Sequence, residues 1–359
     1  MLYYLHKIYF GGTQNKIMEM ELWLAIPVLI IGFVCLVKGA DWFVDGAAGI
    51  AAKLHVPQLI IGLTIVSFGT SAPELATSLI SSFQGSADIA VGNVIGSNIT
   101  NILLILGLAA IICPLVVQKS ARYLDFPVLL GASGLLLWFG LNDNVITAAE
   151  GWIMFAISMV YTIILIVMGF MQSKNGGASH GIDTSHTIVV LDKDGNREVK
   201  TSWYERMKEH AWFLIIITVV GLALVVVGAL YAVIPAATSI AKEFGVSEKI
   251  IGLTIVAIGT SLPELVTCVI AAKKGETDIA VGDIVGSNIF NILRTLGLSA
   301  AILPLAFESS FLVDGLIALG AALLLASFGY MKSHKVQRWG GVVMLLGFVA
   351  YYVYLFALA

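Results

Sequence analysis

Long apolar stretches separated by short polar breaks form the pattern of this chain. Ten of them are long enough to span the roughly 30 Å hydrocarbon core of a bilayer as helices. The pattern predicts helices at 22–52, 58–83, 88–116, 123–141, 145–171, 212–241, 249–272, 278–304, 310–331 and 339–358. We therefore expect an all-α integral membrane protein with ten transmembrane helices.

One long polar interval divides the ten predicted helices into five and five. We predict an N-terminal tail over 1–21 that is not a signal peptide, since it lacks a charged start and a long apolar core. We predict a first five-helix repeat over 22–171, a loop over 172–210 and a second repeat over 211–359. Within the loop, two alternating stretches around KDGN predict a short β-hairpin.

The sequence repeats itself at an offset of 190 residues. IGLTIVSFGTSAPELATS at Ile61–Ser78 returns as IGLTIVAIGTSLPELVTC at Ile251–Cys268, and DIAVGNVIGSNITN returns as DIAVGDIVGSNIFN. Because each unit holds an odd number of spans, the second copy enters the membrane inverted. Inverted repeats with broken helices at their centre are typical of transporters that bind substrate at the midplane. A duplication kept for packing alone leaves the shared polar residues unexplained.

Composition excludes several other classes of protein. Hydrophobic residues make up 58% of the chain and charged residues 12%, far from the composition of a soluble domain. A net charge of −3 gives no basic surface for nucleic acid. The three cysteines lie in apolar stretches and read as small hydrophobic residues. We expect contacts with lipid and inorganic cations, no cofactor and no obligatory protein partner.

The distribution of lysine and arginine predicts the orientation of the chain. If the N-terminus lies outside the cell, most of the 20 basic residues fall in cytoplasmic segments. The positive-inside rule therefore predicts a multi-pass protein of the cell membrane, with both termini outside and loop 172–210 in the cytoplasm.

Each repeat places one carboxylate, Glu74 or Glu264, inside an apolar stretch. A charge near the bilayer centre costs at least ~2.5 kcal/mol, so two at equivalent positions indicate a site. Pro73 and Pro263 lack an N–H, which predicts a helix kink and a freed carbonyl four residues earlier. Such a carbonyl is tolerated where it lines a polar cavity. Alternatively, each proline kinks its helix only for packing, but this interpretation leaves the carboxylates unexplained.

Hydroxyl and amide residues share helical faces with these carboxylates. Thr70 and Ser71 lie four and three residues before Glu74, and the second copy repeats the spacing. In the GSN motifs, a serine and an asparagine four residues apart share a face. Gly92, Gly96, Gly282 and Gly286 predict close helix contacts. Oxygen ligands without histidine or thiolate suit Na⁺ or Ca²⁺.

These motifs resemble the two alpha repeats of the calcium/cation antiporter superfamily, specifically its sodium/calcium exchanger branch. The resemblance implies a ten-helix inverted-repeat antiporter, not an enzyme, in which Na⁺ entry drives Ca²⁺ export. It disfavours the proton-coupled branch, which has an acidic or basic residue at positions 97 and 287. By motif position, it implies side-chain ligands and two backbone carbonyls at Glu74, Thr70, Ser71, Ser97, Asn101, Glu264, Thr260, Ser261, Ser287, Asn291, Ser67 and Ala257.

Several positions depart from the family pattern or from the repeat. Asn291 is Asp in some members, so two ligand carboxylates remain here, and three Na⁺ would leave the loaded site positively charged. Transport would then respond to voltage, at ~2.3 kcal/mol per charge per 100 mV.

Asp283 is either a carboxylate on the ion path or a group that hydrogen-bonds behind the ligands. Arg294 is read as an arginine that pairs with an acid or reaches an interface, rather than as a charge beside an ion. Lys38 is read with Asp41 and Asp45 as a lateral ion pair.

Other functions remain open at the level of sequence. The same oxygens suit exchange of Mg²⁺ or Mn²⁺, a K⁺-linked or H⁺-linked exchanger, or a gated cation channel. An intramembrane serine hydrolase needs a general base, and the six histidines all fall in tails or loops.

Overall fold

The computed structural model describes residues 20–53, 67–174, 188–191, 197–200, 210–275 and 277–357. Its helices in the first half are α1 Leu22–Lys53, α2 Ser67–Thr70, α3 Ala72–Phe83, α4 Ala87–Ile99, α5 Gly107–Ile112, α6 Phe126–Asn142 and α7 Ala148–Lys174. Those in the second half are α8 Ala211–Gly228, α9 Ile234–Glu243, α10 Glu248–Ile251, α11 Ala257–Thr260, α12 Leu262–Lys274, α13 Thr277–Phe290, α14 Gly297–Ile302, α15 Phe311–Tyr330 and α16 Arg338–Ala357.

Short π-helical segments join several of these helices. They lie at Thr100–Leu106, Ala121–Asp125, Ala229–Val233, Gly252–Val256 and Asn291–Leu296. The first and last of them follow the two GSN motifs at equivalent positions. The sequence predicted plain α-helix there, and this is corrected by the structure. Widened turns of this kind are rare and are frequently found at functional sites.

Within the described residues, seven helices are long and apolar enough to cross a membrane, and a bent pair makes an eighth candidate. Eight of the ten predicted spans are therefore matched. The predicted span 58–83 lies partly outside the described residues. The predicted span 278–304 corresponds to an unbroken helical run from α13 through α14.

Both prolines of the repeat break their helices as predicted. α2 ends at Thr70 and α3 begins two residues later, with Ser71 between them. In the second copy, Ser261 separates α11 from α12, and the two arms of that pair meet at a bend of 48°. The first turn after each break holds the glutamate. Each kink therefore points the serine hydroxyl at the break and the glutamate carboxylate in the next turn toward the protein centre.

Three two-stranded sheets complete the described structure, and the strands are β1 Leu115–Val116, β2 Val145–Ile146, β3 Ile188–Leu191, β4 Arg197–Lys200, β5 Leu305–Ala306 and β6 Lys335–Val336. β1 pairs antiparallel with β6, and β2 pairs antiparallel with β5. The two pairings are reciprocal, because an offset of 190 carries β1 to β5 and β2 to β6. β3 pairs with β4, which confirms the predicted hairpin.

α4 lies at the centre of the molecule and is buried along almost its whole length. Its glycines allow a very close helix contact, as predicted. A Cβ on Gly96 would lie 2.5 Å from the carbonyl oxygen of Leu253, and one on Gly92 would lie 3.0 Å from that of Lys249. The equivalent partners of Gly282 and Gly286 fall at 59–67, mostly outside the described residues. The outer helices instead expose large apolar side chains, for example Trp152 of α7.

Candidate ion-binding site

The two repeats exchange hydrogen bonds between the serine at one helix break and the glutamate after the other. Ser261 Oγ donates to Glu74 Oε1 at 3.0 Å, and Ser71 Oγ lies 3.5 Å from Glu264 Oε1 as a donor. All four side chains are buried, and both glutamates have 0% of their surface exposed. The arrangement holds the two carboxylates across one small polar region between the repeats.

The serines of the GSN motifs reach the same region. Ser287 Oγ donates to Glu264 Oε1 at 3.5 Å. Ser97 Oγ donates to the carbonyl oxygen of Ala257 at 3.4 Å and lies 3.5 Å from Thr260 Oγ1. The structure therefore brings Ala257, predicted to contribute a carbonyl, next to two predicted hydroxyl ligands.

Asn93, which is not among the predicted ligands, orients this hydroxyl layer. Its Oδ1 accepts a hydrogen bond from Thr260 Oγ1 at 3.0 Å. Its Nδ2 donates to Ser78 Oγ at 3.1 Å and to the carbonyl oxygen of Glu74 at 3.4 Å. The sequence did contain one indication of this role. Asn93 lies four residues before Ser97 in GNVIGSN, and therefore on the same face of the helix.

The asparagines that close the GSN motifs join the two central helices. Asn98 Nδ2 donates to the carbonyl oxygen of Asn288 at 3.3 Å, and Asn288 Nδ2 donates to that of Asn98 at 3.2 Å. Asn101 Nδ2 donates to Asn288 Oδ1 at 2.9 Å. Asn98 and Asn288 were missed from sequence, although their identical places in the two repeats were a signal. They fix the crossing of α4 and α13 beside the carboxylates.

Several buried oxygens of the site accept no hydrogen bond from the described residues. They are Oε2 of Glu74 and of Glu264, Oδ1 of Asn101, and Oδ1 of Asn291, whose Nδ2 is also unpartnered. Burying a charged oxygen without a partner is strongly unfavourable, and a bound cation removes that penalty. Among the described residues, no three His, Cys, Asp or Glu side chains cluster together. Two carboxylates supplemented by hydroxyl and amide oxygens are a donor set suited to hard cations.

Two of the predicted ligands are less fully defined by the structure. Thr70 is buried at the end of α2, directly before the break. Ser67 begins α2, and its side chain lies outside the described residues. The remaining ten predicted residues lie in the segments just described.

Arg294 is anchored to a neighbouring helix. Its Nε donates to Ser158 Oγ at 3.1 Å and its Nη2 to Thr162 Oγ1 at 2.6 Å, both on α7. The guanidinium carbon lies 4.4 Å from the ring centroid of Phe290. Two hydroxyls and an aromatic ring thus contact this side chain, and the predicted acidic partner or interface position stays a prediction. The structure also confirms the predicted pair of Lys38 and Asp41, at 3.2 Å on an exposed face.

Comparisons with known proteins give matches that cover most of the chain. The family model described as sodium/calcium exchanger protein matches residues 24–167 and 213–357. The sodium/calcium exchanger MaX1 of Methanosarcina acetivorans is 34% identical, with 92% of this chain and 97% of MaX1 covered. The inner membrane protein YrbG of Escherichia coli is 35% identical, with 94% and 98% covered. A solved structure of the sodium-calcium exchanger NCX_Mj, soaked with Na⁺ and Sr²⁺, superimposes with a TM-score of 0.60 at 28% identity, covering 92% of this chain and 98% of NCX_Mj.

Proposed function

We propose that this chain, which belongs to the sodium/calcium exchanger protein family, exchanges Na⁺ for Ca²⁺ across a membrane by alternating access. The chain is an all-α, multi-pass membrane protein, and its family consists of transporters rather than enzymes. Cation exchange involving Ca²⁺ follows from the family, whereas the specific use of Na⁺ in this chain is our proposal.

One observation carries this proposal. Ser261 contacts Glu74, and Ser71 contacts Glu264 in the reciprocal way. The contact places two carboxylates on opposite sides of one polar region, each with an unpartnered oxygen. Two negative charges balance one Ca²⁺. The same oxygens suit Na⁺ as well, so the two substrates compete for one set of ligands. An exchanger requires competition for a shared site, because the site then opens to the opposite side of the membrane with either ion bound.

We propose that the ligands act together as one cage. Its carboxylates are Glu74 and Glu264. Its hydroxyl, amide and carbonyl oxygens come from Thr70, Ser71, Ser97, Asn101, Thr260, Ser261, Ser287, Asn291, Ser67 and Ala257. Hydrogen bonds from Asn93 hold the hydroxyl layer, and the Asn98–Asn288 contacts hold the two central helices.

The proposed architecture is a pair of inverted five-helix repeats with ten membrane spans. The offset of 190 residues supports it, and so do the reciprocal pairings of β1 with β6 and of β2 with β5. An inverted pair gives the two faces of the membrane equivalent surroundings, so a central site can open to either side. The breaks at Ser71 and Ser261 are natural hinges, because each joins two helical arms at a ligand.

We further propose that the protein lies in the cell membrane with both termini outside and loop 172–210 in the cytoplasm. The distribution of lysine and arginine supports this orientation. Two variants, Ser333→Cys and Asp143→Cys, test this orientation. The measurement is the reactivity of each introduced cysteine toward a thiol reagent that does not cross the membrane. Ser333 is expected to face the cytoplasm and Asp143 the outside.

An ion-replacement assay in proteoliposomes tests the exchange function. The purified chain is reconstituted, and uptake of labelled Ca²⁺ is measured under an outward gradient of Na⁺, K⁺ or H⁺. We expect Ca²⁺ uptake under the Na⁺ gradient and none under the K⁺ or H⁺ gradient. Uptake under a proton gradient and not a sodium gradient would refute Na⁺ coupling, and a requirement for K⁺ would add a co-substrate. Ca²⁺ flux that needs no counter-ion would identify a channel.

A further inference from the structure

Asn98 and Asn288 stand at equivalent positions of the two repeats, but their side-chain oxygens have different surroundings. Each residue donates from its Nδ2 to the backbone carbonyl oxygen of the other, at 3.3 Å and 3.2 Å. Asn288 makes a further contact, because its Oδ1 accepts a hydrogen bond from Asn101 Nδ2 at 2.9 Å. Oδ1 of Asn98 has no hydrogen-bond partner among the described residues. The symmetry of the repeats is therefore broken at this side-chain contact.

The hydrogen bonds determine which way the amides of Asn288 and Asn101 face. A backbone carbonyl oxygen can only accept a hydrogen bond, so the atom of Asn288 that lies beside the Asn98 carbonyl is its Nδ2. The other end of this amide is then Oδ1, which also only accepts, so Asn101 turns its Nδ2 toward it. Oδ1 of Asn101 is left on the far side of its amide. It is buried and has no hydrogen-bond partner among the described residues.

Asn291, the counterpart of Asn101 in the second repeat, is not oriented in this way. It has 0% of its surface exposed, and neither its Oδ1 nor its Nδ2 has a hydrogen-bond partner among the described residues. Its amide can turn either atom toward an ion, whereas the amide of Asn101 can offer only its oxygen. A ligand that is already oriented loses less conformational freedom on binding, so it contributes more to affinity.

Resting on the proposed exchange function, we propose that Asn288 is a positioning residue that holds the Asn101 amide with its oxygen available to the transported cation. Asn101 is a proposed ligand, and it lies four residues after Ser97 in the same motif. Asn288 acts through Asn101, because its own Oδ1 is occupied by the Asn101 amide and its Nδ2 by the Asn98 carbonyl. The first repeat therefore contributes an amide ligand that the second repeat orients.

The Ca²⁺ concentration for half-maximal uptake tests this role, measured in proteoliposomes of the full chain under an outward Na⁺ gradient. Asn288→Ala is expected to raise that concentration about two- to tenfold. Asn98→Ala is the matched comparison, because it removes the equivalent amide-to-carbonyl bond between the same helices and no bond to Asn101. We expect both variants to lose thermal stability to a similar extent, and Asn98→Ala to raise the half-maximal concentration clearly less. This concentration does not depend on how much of the protein is folded.

Asn101→Ala separates positioning from packing. Once the Asn101 amide is absent, adding Asn288→Ala is expected to cause no further rise in the half-maximal Ca²⁺ concentration. An additive rise in the double variant would overturn the proposal, and so would equal rises in Asn288→Ala and Asn98→Ala.

Two substitutes keep the test decisive if a variant is inactive. Where a variant carries no flux, Ca²⁺-dependent thermal stabilisation of the purified protein gives the half-maximal concentration instead. Where Asn288→Ala does not fold, Asn288→Ser and Asn98→Ser are compared in the same way, and equal values would again overturn the proposal. Failure of the wild type to move Ca²⁺ against Na⁺ would instead reject the proposed function itself.

Discussion

Ser261 donates a hydrogen bond to Glu74 Oε1 at 3.0 Å, although the two residues stand 187 positions apart. Each comes from the break of one repeated helix. The contact is matched by a longer one, at 3.5 Å, from Ser71 to Glu264. The two repeats therefore contact each other through the polar residues at and just after their helix breaks.

Removing one of these serines is expected to weaken Ca²⁺ binding without abolishing exchange. A hydrogen bond to a charged group is worth about 1.5–3 kcal/mol, and 1.4 kcal/mol corresponds to a factor of ten. We expect Ser261→Ala to raise the Ca²⁺ concentration for half-maximal uptake by about 10- to 100-fold. Ser71→Ala is expected to have the smaller effect, since its contact is longer. Initial rates of Ca²⁺ uptake at varied Ca²⁺ measure both.

The exposed Ser333 provides the matched serine-to-alanine control, and Ser333→Ala is expected to behave as the wild type. Equal uptake curves for Ser261→Ala and Ser333→Ala would show that the cross-repeat contact contributes nothing to binding.

The close contact at Gly96 is expected to tolerate no larger side chain. A Cβ there would lie 2.5 Å from the carbonyl oxygen of Leu253 and 2.8 Å from Ala257 Cβ. Overpacking of this kind costs typically 1–3 kcal/mol, and here it also pushes apart two segments that hold ligands. Gly96→Ala is therefore expected to lower both the thermal stability of the purified protein and its transport rate.

Gly131 is the comparison for this substitution, because it lies within α6 and a Cβ added there meets no described atom within 4 Å. Gly131→Ala is expected to leave stability unchanged or to raise it, since alanine favours helix more than glycine does. Similar stability losses in the two variants would argue against the packing explanation.

The repeated motifs were enough to predict that Ser71, Glu74, Ser261 and Glu264 share one polar region, and that they bind ions stays a prediction. The equivalence of Ser71 and Ser261 follows directly from the offset of 190 residues, and the prolines predict the breaks beside them. The contact of Asn98 with Asn288 was not predictable in this way. Each residue stands on its own helix, and their meeting depends on how α4 and α13 cross.

Two other features left little trace in the sequence. The π-helical turns after the GSN motifs have no residue signature, because a widened turn is set by neighbouring helices as much as by its own side chains. The contacts of Arg294 with Ser158 and Thr162 were not predictable either, since they depend on how α7 packs beside Arg294.

A buried ion pair stabilises the end of the second broken helix. Lys249 Nζ lies 2.7 Å from Asp314 Oδ2, in an ion pair rather than a well-directed hydrogen bond, and Asp314 is 1% exposed. Tyr351 donates to the other oxygen of Asp314 at 3.1 Å, as Tyr161 does to Asp125 at 2.9 Å in the first repeat. Removing one partner of a buried pair costs about 3–5 kcal/mol, because the other charge stays buried.

Lys249→Met is therefore expected to reduce thermal stability strongly. The double variant Lys249→Met/Asp314→Asn is expected to recover much of the loss, because no charge is then left unpaired and Tyr351 keeps an acceptor. Lys332→Met, at an exposed position, is the control and is expected to have little effect. Strictly additive losses in the double variant would show that the two charges do not stabilise each other.

The central claim is that Glu74 and Glu264 together bind the transported Ca²⁺. Glu74→Gln and Glu264→Gln preserve size and remove one negative charge each, and Glu150→Gln, outside the site, serves as the control. Ca²⁺ uptake into proteoliposomes under an outward Na⁺ gradient is the measurement. We predict that uptake is lost in each of the two site variants and is retained in the control. Wild-type uptake in either Glu74→Gln or Glu264→Gln would contradict the proposed site.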